Sequence, residues 1–367
     1  MGLTVVQVLP ALESGGVERG TLEVAAELVR QGHRSIVISA GGRMTEQLKR
    51  DGSEHVKWDI GRKSLLTFRY IFKLRKFLRE NSVDILHARS RLPAWICYLA
   101  WKGMDKDKRP HFITTVHGQY SVSKYSSIMM YGERVIAVSR TIQDYITSNY
   151  PFVDQRKIRL IPRGVDPQEF PHGYKPEEAW LKTWQSQYSQ LQNKIIITIA
   201  GRITRLKGHK DFIELINSLA DKGYDIHGLI VGGTDAKHKQ YENELRSIIA
   251  DKNIKDKITF TGHRIDVREI FSVSDIVVSL TRKPESFGRT VLEALNLGTP
   301  VAGYAHGGVG EILSDLYPAG CVKPHDQMLL VNKVVDIIDG DVKVEEVKKY
   351  SLQSMLDNTI SVYKEFV

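Results

Sequence analysis

The sequence predicts an α/β fold of two domains, each a parallel sheet covered by helices on both faces, with the two sheets facing a cleft. Three observations carry this. Short strands that are apolar throughout alternate with amphipathic helical segments, the pattern of strands buried on both faces. The alternation runs twice, interrupted between Asp166 and Asn193 by Pro167, Pro171, Gly173 and Pro176, and the domain boundary is placed in that stretch. The length of 367 residues also exceeds the roughly 250–300 at which a single core stops growing.

In order, Val5 to Leu9 reads as a buried strand. Gly15-Gly16 follows it, then a helix from about Val17 to Arg30 that Gly32 stops. Further strands are predicted at Ser35–Ser39, His55–Trp58, Asp84–His87, Phe112–Val116, Val135–Val138 and Ile158–Ile161, with the longest helix near Leu65 to Glu80. The second run has strands at Ile195–Ala200, Leu229–Val231, Ile258–Thr261, Ile276–Leu280 and Val301–Tyr304, and the chain closes on a helix from Val347 to Phe366. Two such halves read as Rossmann-like domains. Ligands of these sheets sit beyond the carboxyl ends of the strands, so the informative residues belong in the loops just after them.

Composition narrows the partners. Hydrophobic residues make up 42%, aromatic residues 8% and charged residues 26%, which excludes disordered and low-complexity architectures. The net charge of +9 favours a nucleotide, a nucleic acid or an anionic membrane face, unless the cations are merely scattered for solubility. Two distant cysteines, Cys97 and Cys321, exclude a disulfide scaffold and fit a reducing compartment. Met1-Gly2-Leu3-Thr4 runs straight into a strand without a leader pattern, and the apolar run from Leu92 to Trp101 is shorter than the about 20 residues a membrane span needs. A cytoplasmic protein, or one peripheral to the cytoplasmic membrane, is expected.

Several post-strand loops can carry chemistry. Glu13-Ser14-Gly15-Gly16 lets backbone N–H groups approach an anion at a helix start, but it is not the G-x-G-x-x-G dinucleotide fingerprint; a plain tight turn is the alternative. Arg202 after one strand and Lys207-Gly208 before the next helix can clamp a pyrophosphate, a fork and a point charge respectively. Pro284-Glu285-Ser286-Phe287-Gly288-Arg289-Thr290-Val291-Leu292-Glu293 is the strongest signal. It places one carboxylate in a loop and another about one turn into a helix, around N–H groups at the helix start. A carboxylate suits a sugar diol because it accepts from two hydroxyls at once; the alternative is a capping residue and a surface residue. His117-Gly118 can reach a hydroxyl or phosphate. Arg89, Ser90 and Arg91 place two arginines at the edge of the first sheet, where a charged acceptor can dock. Asp105-Lys106-Asp107 lies in a charged loop and reads as structural. No zinc spacing and no P-loop is present.

Taken together, these motifs resemble retaining glycosyltransferases of family 4, which have the GT-B fold, over nearly the whole chain. The resemblance rests on Gly15-Gly16 with Glu18-Arg19, His117-Gly118, Val138-Ser139, Ile161-Pro162-Arg163-Gly164-Val165-Asp166, Gly201-Arg202 with Lys207-Gly208, Gly262-His263-Arg264, Glu285 to Glu293, and Gly298-Thr299-Pro300-Val301. It implies an acceptor-side domain over 1–170, a donor-binding domain over 171–346, and a last helix, about 347–367, that packs back on the first domain. Arg202 and Lys207 would hold the donor pyrophosphate, and Glu285 the transferred sugar. The backbone at Phe287, Gly288, Arg289 and Thr290 would meet sugar and phosphate, and Glu293 the ribose. Arg264 would meet the nucleobase, with Gly232 also on the donor side and Gly15 and Gly16 approaching the phosphate from the first domain. His117 would contact the sugar near the reacting carbon. His117, Arg202, Lys207 and Glu285 form the implied catalytic group, and Arg89, Ser90 and Arg91 the acceptor side.

The implied reaction transfers a hexose-type sugar from a UDP- or GDP-linked donor to a glycan or lipid-linked hydroxyl, with retention and without a metal or other cofactor. Arg163 departs from the Asn that many relatives carry; relatives acting on lipopolysaccharide or other surface glycans sometimes share it, and a further donor phosphate contact is one expectation for it. The segment Arg62 to Arg79 interleaves seven cations with Phe68, Tyr70, Phe72 and Phe77; it reads either as a basic amphipathic helix touching anionic lipid or as a core helix with a solvated basic face. Two other functions share some of these features: a nucleotide-sugar epimerase of the same fold, and a basic nucleic-acid-binding protein. No nucleic-acid-binding motif supports the second, and no nucleic-acid partner is expected.

Overall fold

The computed structural model describes residues 2–13, 15–235, 238–340 and 342–366. The chain forms two compact units, Met1–Pro162 with Gln353–Val367, and Arg163–Leu352. Both are parallel α/β sheets.

The first unit holds β1 (Thr4–Val8), β2 (Arg34–Ser39), β3 (Glu54–Lys57), β4 (Ile85–Ala88), β5 (His111–Val116), β6 (Arg134–Ala137) and β7 (Ile158–Leu160), in the order β3-β2-β1-β4-β5-β6-β7. Val5 registers against both Ser35 and Ile85, so β1 sits inside the sheet with helices on either face. Its buried Gln7 donates to the Thr21 carbonyl at 3.2 Å in the helix Gly16–Arg30. The second unit holds β8 (Ile195–Ala200), β9 (Ile226–Val231), β10 (Ile258–Gly262), β11 (Ile276–Ser279), β12 (Val301–Tyr304) and β13 (Cys321–Val322), in the order β10-β9-β8-β11-β12-β13. The two-residue β13 was not foreseen, because two residues carry no periodicity. Strand order reverses between β1 and β4 in one sheet and between β8 and β11 in the other. Those are the switch points beside which ligands of open α/β sheets bind.

The boundary falls at Pro162–Arg163, not near residue 170. Val165 N–H donates to Tyr350 O at 3.0 Å and Leu352 N–H to Val165 O at 2.9 Å, while Phe170 is buried in the second core. The Pro/Gly-rich stretch is therefore packed chain of the second unit and not a linker. The same pairing holds residues 350–352, so the last helix runs Leu352–Lys364, five residues later than predicted. From Gln353 on it belongs to the first unit. Buried Tyr363 reaches His87 Nδ1 at 2.7 Å, and Glu365 takes Arg159 at 2.7 Å. Among the described residues no helix is long and apolar enough to cross a membrane.

Candidate functional site

In the second unit the loops after β8, β9 and β11 are drawn together by glycines that nothing larger can replace. Gly208, at φ +75°, caps the helix His209–Asp221. A Cβ on it would lie 1.9 Å from Leu280 O at the end of β11. Gly232 stands equally close to Gly201 O, where a Cβ would also come within 1.9 Å. These approaches seat the single 3-10 turn Arg205–Lys207 against the β11 loop, and Arg282 N–H donates to Leu206 O at 2.8 Å across the junction.

The result is an ion pair at the switch point. Lys207 Nζ lies 2.5 Å from Glu285 Oε1, the side chains 33% and 23% exposed. Glu285 is held by its backbone: it bridges Gly307, and Gly308 N–H donates to its carbonyl at 2.7 Å. Gly288, at φ +91°, then starts the helix Arg289–Leu297 with no side-chain cap. The first N–H groups of a helix have no acceptor within it and carry its positive dipole end. One turn on, buried Glu293 pairs with Arg289 at 2.9 Å. Both carboxylates thus sit beside a cation, Glu285 at Lys207 and Glu293 at Arg289. Arg202 is exposed at the end of β8. Phe287 turns its ring into the core, edge-on to Tyr350, so only its backbone is available at the helix start. Thr290 is half-buried in the first turn.

Arg264 follows the edge strand β10, whose last residue meets the β9 loop where Gly232 N–H donates to Gly262 O at 2.9 Å. Asp266 grips Arg264 in a fork at 2.8 and 2.5 Å and the Arg264 guanidinium lies 5.6 Å from the Trp184 ring. The Asp266 hydrogen bond raises the guanidinium's already high pKa. Arg163 opens the second unit, half-buried.

In the first unit, the predicted residues follow β1, β4 and β5, three adjacent strands. Ser14 lies outside the described residues. Gly15 is extended at φ −95°, with the Glu18 carboxylate folded over it, while Gly16 opens onto free space. His117 N–H donates to Tyr120 Oη at 3.3 Å. The arginines do not sit on a sheet edge, because β4 is the fourth of seven strands. Arg89 is only 3% exposed, against buried Tyr363, and burial pushes its guanidinium pKa down; it is a core residue, out of reach of an acceptor. Ser90 caps the helix Arg91–Lys102 by position. Arg91 lies over the rings of Tyr120 and Tyr125, at 4.8 and 5.4 Å, and donates to Ser126 Oγ.

Sequence reasoning missed two features of the second unit. Gly307-Gly308 starts a helix after β12 and pins Glu285; a post-strand glycine pair, as at Gly15-Gly16, was the available signal. Asp211 accepts from Arg282 at 2.6 Å and Tyr304 Oη at 3.0 Å, bracing the loop after β11, and no local pattern marks it. Asp105 and Asp107 form a turn, Asp107 N–H to Asp105 Oδ1 at 3.3 Å. Among the described residues no three His, Cys, Asp or Glu side chains gather as a metal site.

Comparison with known proteins agrees with this architecture. Residues 14–169 match the family model for Glycosyltransferase Family 4, and residues 182–354 that for Glycosyl transferases group 1. The crystal structure of a glycosyltransferase from Rickettsia africae superposes with a TM-score of 0.87 at 31% identity, covering 100% of this chain and 98% of that one. Spore coat protein SA of Bacillus subtilis is 22% identical over 97% of this chain and 96% of its own. Anabaena HepE in complex with UDP-glucose shares the fold, with a TM-score of 0.75 at 17% identity over 99% and 95% of the two chains. A post-strand cation pair, a glycine-seated glutamate and two full-length parallel α/β units therefore belong to one family: the chain is a member of the GT-B glycosyltransferases.

Proposed function

We propose that the protein moves a hexose-type sugar from a nucleoside diphosphate to a hydroxyl of a glycan or lipid-linked acceptor, in the assembly of lipopolysaccharide or another surface polysaccharide. The observation that carries the donor half is the Lys207–Glu285 pair at the β8/β11 switch point beside the uncapped helix start at Gly288. A diphosphate there takes Lys207, Arg202 and the helix N–H groups as partners. Glu285 and Glu293 accept hydroxyls of the sugar and ribose. As the sugar–phosphate bond breaks, charge gathers on the leaving diphosphate, and these fixed cations and dipoles stabilise it without rearranging. Departure and attack on one face of the sugar retain its configuration and need no metal; a role for His117 toward the sugar rests on resemblance alone. Arg163 supports a surface-glycan acceptor by resemblance alone. The UDP-glucose held by the similarly folded Anabaena protein makes a uridine diphosphate sugar the first donor to test.

A thermal-shift panel of UDP, GDP, ADP and their sugars tests the donor. A true ligand at a hundredfold excess over its Kd adds about 2.7 kcal/mol to apparent stability. Stabilisation by none of them refutes the reading. With a donor in hand, product anomer by NMR tests retention, and activity after chelation tests metal independence. Release of an epimerised free sugar without acceptor points to the epimerase instead.

A further inference from the structure

We propose that the segment 62–79 is a bilayer-docking surface of the first unit, which inserts leucine and phenylalanine side chains among anionic lipid headgroups. It forms a 3-10 turn, Leu65–Arg69, continued by the helix Tyr70–Glu80. Its inner face is ordinary core: Thr67, Tyr70, Leu74 and Leu78 are buried. Its outer face is not an ordinary solvated face. Leu65 is 87% exposed, Leu66 and Phe72 72% each, and Phe68 42%. Leu65, Phe68, Phe72 and Lys76 recur three and four residues apart and so share one outward side. The turn is anchored: Thr67 Oγ1 donates to Arg62 O at 2.6 Å, and Ser64 Oγ accepts from Leu66 N–H. The leucines are therefore presented to solvent by well-bonded backbone.

Charge chooses the occupant. Residues 60–79 hold Arg62, Lys63, Arg69, Lys73, Arg75, Lys76 and Arg79 and no Asp or Glu; Asp59 and Glu80 flank them, and Glu80 lies 3.6 Å from Lys76 at the exposed end of the helix. Of these, Arg75 is turned inward, donating to the carbonyls of Leu99 and Ala100, while Arg62, Lys63, Arg69, Lys73, Lys76 and Arg79 are exposed. An apolar cluster ringed by cations repels a second copy of itself and complements an anionic bilayer, where cations meet phosphates and the apolar tips reach the acyl boundary. Such docking brings the enzyme to a lipid-linked hydroxyl, a consequence that rests on the function proposed above; the docking itself does not.

The test is cosedimentation of the full chain, without nucleotide, with vesicles of phosphatidylcholine alone or mixed with phosphatidylglycerol. Binding to the mixed vesicles, weakened by added salt, is expected. Leu65→Ser with Leu66→Ser and Phe72→Ser should lower the affinity at least tenfold. Lys63→Gln with Arg69→Gln and Lys76→Gln should lower it roughly a hundredfold, at about fivefold per cation. None of these six side chains lines the core, so both variants should keep the wild-type thermal transition and donor binding. Absence of binding, equal binding to neutral vesicles, or unchanged affinity in both variants overturns the proposal. So does a concentration-dependent dimer, abolished by the serine variant, in a chain that ignores vesicles. Loss of transfer activity with vesicle binding intact would instead fault the proposed function.

Discussion

The Lys207–Glu285 pair makes a prediction in which stability, affinity and rate separate. The side chains are 33% and 23% exposed at 2.5 Å. A pair that open to solvent contributes about 1 kcal/mol or less to folding. Lys207→Ala and Glu285→Gln should therefore each shift the melting temperature by only a few degrees, at roughly 2–4 °C per kcal/mol. Catalysis should respond far more. Removing a donor aimed at charge that develops in the transition state costs about 2.7–4 kcal/mol, or 10²–10³ in kcat. The two variants should also diverge toward the bare nucleoside diphosphate. In the empty site Glu285 competes with the diphosphate for Lys207. Lys207→Ala weakens binding of the diphosphate, whereas Glu285→Gln leaves it unchanged or tighter, yet still loses kcat because one of the two acceptor oxygens becomes an NH2 donor and the carboxylate charge facing the sugar is lost. Calorimetry with the diphosphate, alongside steady-state transfer kinetics, reads both. If Glu285→Gln weakens the bare diphosphate as much as Lys207→Ala does, or if either variant keeps kcat within tenfold of wild type, the assignment of roles fails.

Other consequences follow from the same geometry. Gly208→Ala combines a left-handed φ with a Cβ 1.9 Å from Leu280 O; it should cost more than about 2 kcal/mol of stability and abolish donor binding, and a wild-type melting curve with intact binding would contradict the close approach. Tyr363→Phe strips buried His87 of a partner at 2.7 Å and should cost about 1–3 kcal/mol, read as a lower urea midpoint; an unchanged midpoint would place no weight on that bond. Burial pushes the His209 pKa down to about 4, below its unfolded value of about 6.5. The unfolded chain then binds the proton first, so stability is full above about pH 6.5 and falls as the pH drops toward 4. His209→Gln should flatten that fall in urea titrations at pH 7 and 5; an identical slope in both proteins would exclude His209 as its source.

Much of the layout is legible in the sequence. The predicted strands Ile195–Ala200 and Val301–Tyr304 coincide with those found, and the others differ by at most three residues at an end, since apolar runs bounded by glycine and polar turns state their own extent. The glycines at 208 and 288 were legible as features of helix starts, though not the left-handed backbone or the contacts that make them irreplaceable. The boundary was misread because proline and glycine mark irregular backbone whether it links domains or packs inside one; Phe170 and the Val165–Tyr350 bond decide which. Arg89 was misread because a charge after a strand looks the same whether it faces solvent or Tyr363.

Local pattern, then, encodes period and punctuation: strand against helix, and where each loop begins. Those properties live in windows of about ten residues, where side-chain alternation and turn chemistry act. Which charges meet is a different kind of fact. Lys207 and Glu285 are 78 residues apart, and they touch because the strand order reverses between β8 and β11 and glycine lets two loops close to contact distance. Whether Leu65 and Phe72 cover a core or confront solvent likewise depended on which side of their helix the sheet claimed. Burial is a property of the assembled chain, and no stretch of residues carries it alone.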